Sequence, residues 1–134
     1  MNTNVDRISS GVAVVSLDGE LDASNFRDVI ATGRDLYAEG ARLLVLDLSG
    51  LEYMASSGIV ALHSLALIFR GIEPPDPEAG WSAFHAVSAD AEEGPAEEQV
   101  RLAGPNASID RILDRTGLKR ILPVFADRDA ALAG

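Results

Sequence analysis

The chain has 134 residues, no cysteine, 47% apolar residues and a formal net charge of −10. That length suits one domain with a real core, and the absence of cysteine excludes a disulfide framework and a thiolate metal site. The acidity is concentrated: Glu73, Asp76, Glu78, Asp90, Glu92, Glu93, Glu97 and Glu98 lie between Arg70 and Arg101 with no lysine or arginine among them, while the other 13 acids face all 11 bases.

A nearly neutral body with one acidic segment carries no phosphate-backbone footprint, so nucleic acid is excluded as the expected partner. The opening MNTNVDRISSG is polar and lacks the apolar region of a signal peptide. The longest weakly polar run, 54–69, contains two serines, a glycine and His63 and is too short to span a bilayer. These features predict a soluble chain without membrane insertion, and the cysteine-free composition suits a reducing cytoplasm.

In chain order, residues 5–8 and 12–17 read as short strands around a Ser9-Ser10-Gly11 turn. Asp22 or Ser24 then caps a helix whose apolar positions are Phe26, Val29, Ile30, Gly33, Leu36 and Tyr37, a one-face pattern. Gly40 stops it. Residues 42–48, RLLVLDL, form a short, nearly continuous apolar run, as expected of a central strand.

SGLEYMA follows as a connection, and Ser56 or Ser57 opens a second helix running to about Arg70. Residues 71–98, rich in Pro, Ala and Glu, break the pattern. Within them Asp76, Pro77 and Glu78 read as the start of a short helix, with Trp81 and Phe84 on one side. The run from Glu92 to Glu98 reads as a solvated loop.

Beyond the break, 100–103 is a strand. Asn106 caps a helix carrying Ile109, Ile112 and Leu113 and ended by Gly117, 121–125 is extended, and Asp127 caps a last short helix. Strands alternating with helices argue an α/β layer.

The stretch YMASSGIVAL poses the functional question. Serine is a favoured helix cap, and on these ten residues alone capping is the better reading of Ser56 and Ser57. The first turn of a helix also holds unpaired N–H groups and a partial positive charge, where a hydroxyl can serve as an exposed chemical handle. The helix beyond is apolar almost all round, so it is either covered on both sides or exposes a patch. Cover from Trp81 and Phe84 is the preferred account.

Three stretches, LDGELDASNF (17–26), LLVLDLSGLEYMASSGIVAL (43–62) and LAGPNASIDRILDRTGLKRILPVF (102–125), stand in an order and spacing that resemble the STAS domain of bacterial anti-sigma factor antagonists. The resemblance implies one α/β domain over 1–134. It would be a mixed sheet of four to five strands with helices packed on one side, carrying an acidic insertion at about 71–98.

It also implies a non-enzymatic regulator that binds an anti-sigma factor, a serine kinase of the histidine-kinase-like ATPase class. Ser56 would be the phosphoacceptor, Asp22 its charged neighbour, and Ser57, Gly58 and Ile59 the contact edge. Asp22 is equally readable as a helix cap, and Gly58 as simple small-residue packing. No cofactor is implied for this chain, since ATP would belong to the partner. A homodimer is compatible with the resemblance.

Two departures stand out: Ala55 occupies the position of the acid that precedes the acceptor in phosphorylatable members, and the acidic insertion has no counterpart in the pattern. Ala55 favours a rival reading, a STAS scaffold that binds without being switched, in a larger regulatory or transporter-associated complex. The enzymatic rival is weak. His63 stands seven positions after Ser56, roughly 10 Å along a helix at 1.5 Å per residue, and His85 lies in the insertion. No nucleophile elbow, phosphate-binding glycine loop or clustered metal ligands accompany them.

Overall fold

The computed structural model describes residues 1–72 and 99–133. The sequence readings for Asp76, Trp81, Phe84, His85 and the 92–98 acidic run lie outside the described residues.

The chain opens with an antiparallel hairpin of β1 (Asn2–Ser9) and β2 (Val12–Leu21). Helix α1 (Phe26–Ala38) and strand β3 (Leu43–Asp47) follow. Next come β4 (Leu51–Met54) and α2 (Ser56–Phe69). The final part holds β5 (Val100–Ala103), α3 (Ala107–Arg115), a 3-10 turn (Leu118–Arg120), β6 (Val124–Phe125) and α4 (Arg128–Ala133).

The six strands form one mixed sheet in the order β1-β2-β3-β5-β6, with β4 also pairing with β2. Every pairing except β1 with β2 is parallel. The mixed α/β architecture is therefore as the sequence implied, with one strand beyond the expected four to five. That strand is β4, which pairs with the far end of β2 (Gly19, Glu20, Leu21) beyond the stretch that pairs with β3.

Alternation along the strands decides what each face buries. Ala13, Val15 and Leu17 of β2, Leu44 and Leu46 of β3, and Val100 and Leu102 of β5 face the main core under α1, α2 and α3. The intervening Val14, Val45 and Ala103 face the other way and form a second, smaller cluster with Ala131 of α4. Helices on one side thus describes α1, α2 and α3, whereas short α4 covers the opposite face.

Arg128 holds α4 there. It donates to the Ser16 hydroxyl at 3.0 Å and to the Asp6 carboxylate at 3.4 Å, and lies 3.7 Å from that of Asp47. The Arg101 guanidinium donates to the Ala131 carbonyl at 2.7 Å.

The predicted apolar face of α1 is the buried one: Phe26, Val29, Ile30, Gly33 and Leu36 are buried. Gly33 permits the α1–α2 approach, because a Cβ built there would meet Leu65 Cδ2 at 2.1 Å. Gly40 ends the connection with φ +113°, a left-handed conformation that other residues rarely adopt. Helix α2 is buried at every position from Gly58 to Phe69, His63 and Ser64 included. Its all-round apolar sequence therefore reflects burial on all sides, and no apolar stripe of α2 faces solvent.

Candidate site at the start of α2

The parallel strands β2 and β4 end side by side, with Leu21 opposite Met54. The Ala55 N–H donates to the Leu21 carbonyl at 2.9 Å, so the turn after β2 and the start of α2 leave the sheet as neighbours. Asp22 and Ser56, 34 positions apart in sequence, thereby come to the same end of the molecule.

The first helical residue is Ser56, and the capping position belongs to Ala55, with φ −82° and ψ 174° and no side-chain cap. The expected serine cap is absent because the hydroxyls come one residue too late: they sit inside the first turn, beyond the extended residue from which a side chain folds back. Ser56 is exposed and Ser57 half-buried. Neither hydroxyl makes a hydrogen bond among the described residues.

Gly58 and Ile59 lie beneath this edge. Gly58 is buried where a Cβ would meet Met54 Cγ at 2.4 Å and Leu21 Cδ2 at 3.1 Å, and Ile59 is only 1% exposed. Of the sequence-predicted contact edge of Ser57, Gly58 and Ile59, Ser57 reaches the surface beside the exposed Ser56, while Gly58 and Ile59 are buried beneath it.

Asp22 is half-buried; its carbonyl accepts from the Phe26 N–H at the start of α1 at 3.0 Å, but its side chain does not cap the helix. Its Oδ1 accepts from the Ser24 hydroxyl at 2.5 Å and from the Ser24 N–H at 2.9 Å. Those two bonds, the hydroxyl's first, hold its carboxyl below the ordinary aspartate value. Asn25 occupies the α1 capping position but spends its amide on the turn, accepting from the Asp22 N–H at 3.0 Å and donating to the Glu20 carbonyl at 2.9 Å. The result is a hydrogen-bonded, anionic shoulder beside Ala55.

On the other side a groove of about 240 Å³ runs from Tyr53, Met54, Ala55 and Ser56 to Ile112, Arg115 and Thr116 of the α3 end, with Ile59 at its floor. Tyr53 is 52% exposed at the rim of this groove. Sequence reasoning missed Tyr53, Ile112 and Arg115. Only the fold brings α3 against β4, through Asn106, whose amide donates to the Leu51 carbonyl at 3.1 Å. An aromatic residue just before the serines was the one available signal.

His63 is 2% exposed inside α2. Among the described residues no cluster of three or more His, Cys, Asp or Glu side chains could hold a metal, and no helix is long and apolar enough to cross a membrane.

The fold matches solved structures over nearly its whole length. An anti-sigma factor antagonist from Mycobacterium paratuberculosis is 23% identical with a TM-score of 0.68, the match covering 98% of this chain and 91% of that one. The unphosphorylated form of the anti-sigma factor antagonist SpoIIAA is 16% identical with a TM-score of 0.63, covering 98% and 93%. The phosphorylated form of SpoIIAA, described as a Bacillus cell fate determinant, is 16% identical with a TM-score of 0.58, covering 98% and 97%.

At these identities the likenesses establish the fold. No curated protein matches the chain. The family model described as "Mlab, STAS domain" matches residues 5–72, just over half of the sequence. This chain belongs to the STAS domain family.

Proposed function

We propose that the protein is an anti-sigma factor antagonist: it docks on an anti-sigma factor through the edge around Ser56, and phosphorylation of Ser56 abolishes docking. The observation that carries this reading is the exposed, uncommitted Ser56 hydroxyl in the first turn of α2. The neighbours described as anti-sigma factor antagonists, one of them in phosphorylated and unphosphorylated forms, support the role.

The kinase is the partner itself, of the histidine-kinase-like ATPase class, and brings the ATP; this chain needs no cofactor. Ser56 Oγ attacks the γ-phosphorus, the bond to the ADP oxygen breaks, and the hydroxyl proton passes to a base of the partner. The product carries about −1.5 to −2 charges, which the amide-lined first turn of α2 tolerates. A docked partner does not tolerate them, since it must strip water from the phosphate or meet it with like charge.

The fold is thus unchanged while the surface changes. Asp22, held anionic next door, sets the polarity that an approaching kinase meets. The buried position of His63 supports a non-catalytic role, and the whole reading places the protein in the bacterial cytoplasm. The 1–134 extent of the domain, with its acidic insertion at about 71–98, belongs to the same proposal.

A second reading is favoured by Ala55: a STAS scaffold that stays bound irrespective of Ser56. Pull-down from native lysate with the wild type, Ser56→Ala and Ser56→Asp as baits separates the two. The switch predicts that Ser56→Ala captures the anti-sigma factor and Ser56→Asp loses it at least tenfold. Equal capture by all three supports the scaffold.

A further inference from the structure

Arg115 lines the same groove as Ser56. It is exposed and makes no hydrogen bond or ion pair among the described residues. Its neighbour Lys119, by contrast, is paired with Asp110 at 2.9 Å. Among the described residues no carboxylate lines the groove, and position 55 on its wall is held by Ala55. Of the remaining polar lining, the Thr116 hydroxyl is already donated to the Ile112 carbonyl at 2.9 Å.

We propose that Arg115 is the internal counter-ion of a phosphate on Ser56, and that their pairing closes the groove between β4 and α3. This rests on the reading of Ser56 as the modified serine. A phosphoserine would bring the first negative charge into the groove. Arginine's planar fork matches phosphate oxygens two at a time, which gives the pair direction as well as attraction.

The modification then acts twice. It adds charge at the docking edge, and it fills the cleft between Tyr53 and Ile112 into which a partner side chain would otherwise reach. Ala55 gains a physical meaning: an acid at that position would compete with the phosphate for Arg115. The residue that departs from the family pattern is the one that leaves the arginine available.

Among the described residues the titratable side chains lining the groove are Tyr53 and Arg115. Asp22 lies on the adjoining turn and acts equally in every variant compared below.

The test uses the full chain with phosphoserine incorporated at position 56 during translation, so no kinase is needed. The second ionisation of the phosphate is followed by ³¹P NMR across pH in the wild-type, Arg115→Gln and Arg115→Lys backgrounds. The expected result is a midpoint lower with Arg115 than with Gln by on the order of half a pH unit, with Lys in between. Coincident midpoints in the three proteins overturn the pairing.

The Arg115 Nε–H resonance supplies a second readout within the wild-type sequence. It moves on phosphorylation if the pair forms, and an unmoved resonance overturns the proposal. Because the phosphate is installed directly, failure here leaves the wider reading of Ser56 intact. That reading fails separately, when partner capture is indifferent to Ser56→Asp.

Discussion

Helix α3 follows Asn106 at φ −69° and ψ 171°, and helix α2 follows Ala55 at φ −82° and ψ 174°. The two backbones enter their helices in nearly the same way, at the same end of the sheet, yet the residues at the two entrances differ. Asn106 caps α3, its Oδ1 accepting from the Ile109 N–H at 2.8 Å while its amide clips the helix to β4. Ala55 can do neither.

The difference teaches where the molecule spends its side chains on structure and where it leaves groups open. At α3 a side chain satisfies the Ile109 N–H of the first turn. At α2 no side chain caps the entrance: the Gly58 N–H turns back to the Ala55 carbonyl at 2.9 Å beside two unengaged hydroxyls, and burial along the rest of that helix keeps it in place.

The comparison can be broken most severely at Gly58. Gly58→Val puts a branched side chain against Met54 and Leu21 and is expected to cost about 1–3 kcal/mol or more by overpacking. Chemical denaturation measures it, and an unchanged midpoint would contradict the close approach of α2 to the strand ends. Asn106→Ala removes the cap and the clip together, with an expected loss of about 1–2 kcal/mol. A loss confined to a few tenths would mean the clip to Leu51 is energetically idle.

The converse change sharpens the contrast. Ala55→Asn places a capping side chain on a backbone that already has the right conformation, and should stabilise the protein by about 0.5–1 kcal/mol in the same assay. A destabilised Ala55→Asn protein would show that the start of α2 is closed to a folded-back side chain.

The smallest effect concerns Asp22. Its carboxyl lies below the ordinary value chiefly through the Ser24 hydroxyl bond. The ionised form therefore favours the folded state above the ordinary value, and this contribution is lost as pH falls through the lowered one, below about pH 4. Ser24→Ala should raise the Asp22 midpoint in a carboxyl-detected NMR titration; an unmoved midpoint would show that the hydroxyl bond is not the cause.

Much of this architecture was legible because it follows simple periodicities. The α1 face from Phe26 to Leu36, the continuous apolar β3, the Asn106 cap and the Asp127 cap, whose Oδ1 accepts from Ala130 N–H at 2.8 Å, all stand as read. Strand β4 was not legible. Its Leu51 and Met54 are buried while Glu52 and Tyr53 are both exposed, so it shows no alternation, and a four-residue run without that period reads as a connection. The far end of β2 was hidden by Asp18-Gly19, a pair that usually marks a turn but here passes through a register shift in the pairing with β4.

At the site, Ser56 was legible from local sequence and family resemblance together. Its lack of a capping bond was not, because the shift of one residue between Ala55 and Ser56 is decided by backbone conformation. Arg115 was illegible for a different reason: only the packing of α3 against β4 makes it a neighbour of Ser56.

The most direct test of the central claim is the phosphate occupancy of Ser56 in two pools of the protein from its own cells, one bound to the anti-sigma factor and one free. Mass spectrometry of the peptide containing Ser56 reads both pools in a single experiment. The account predicts an unmodified serine in the bound pool and phosphoserine concentrated in the free pool. Equal occupancy in the two pools, or none in either, would contradict it.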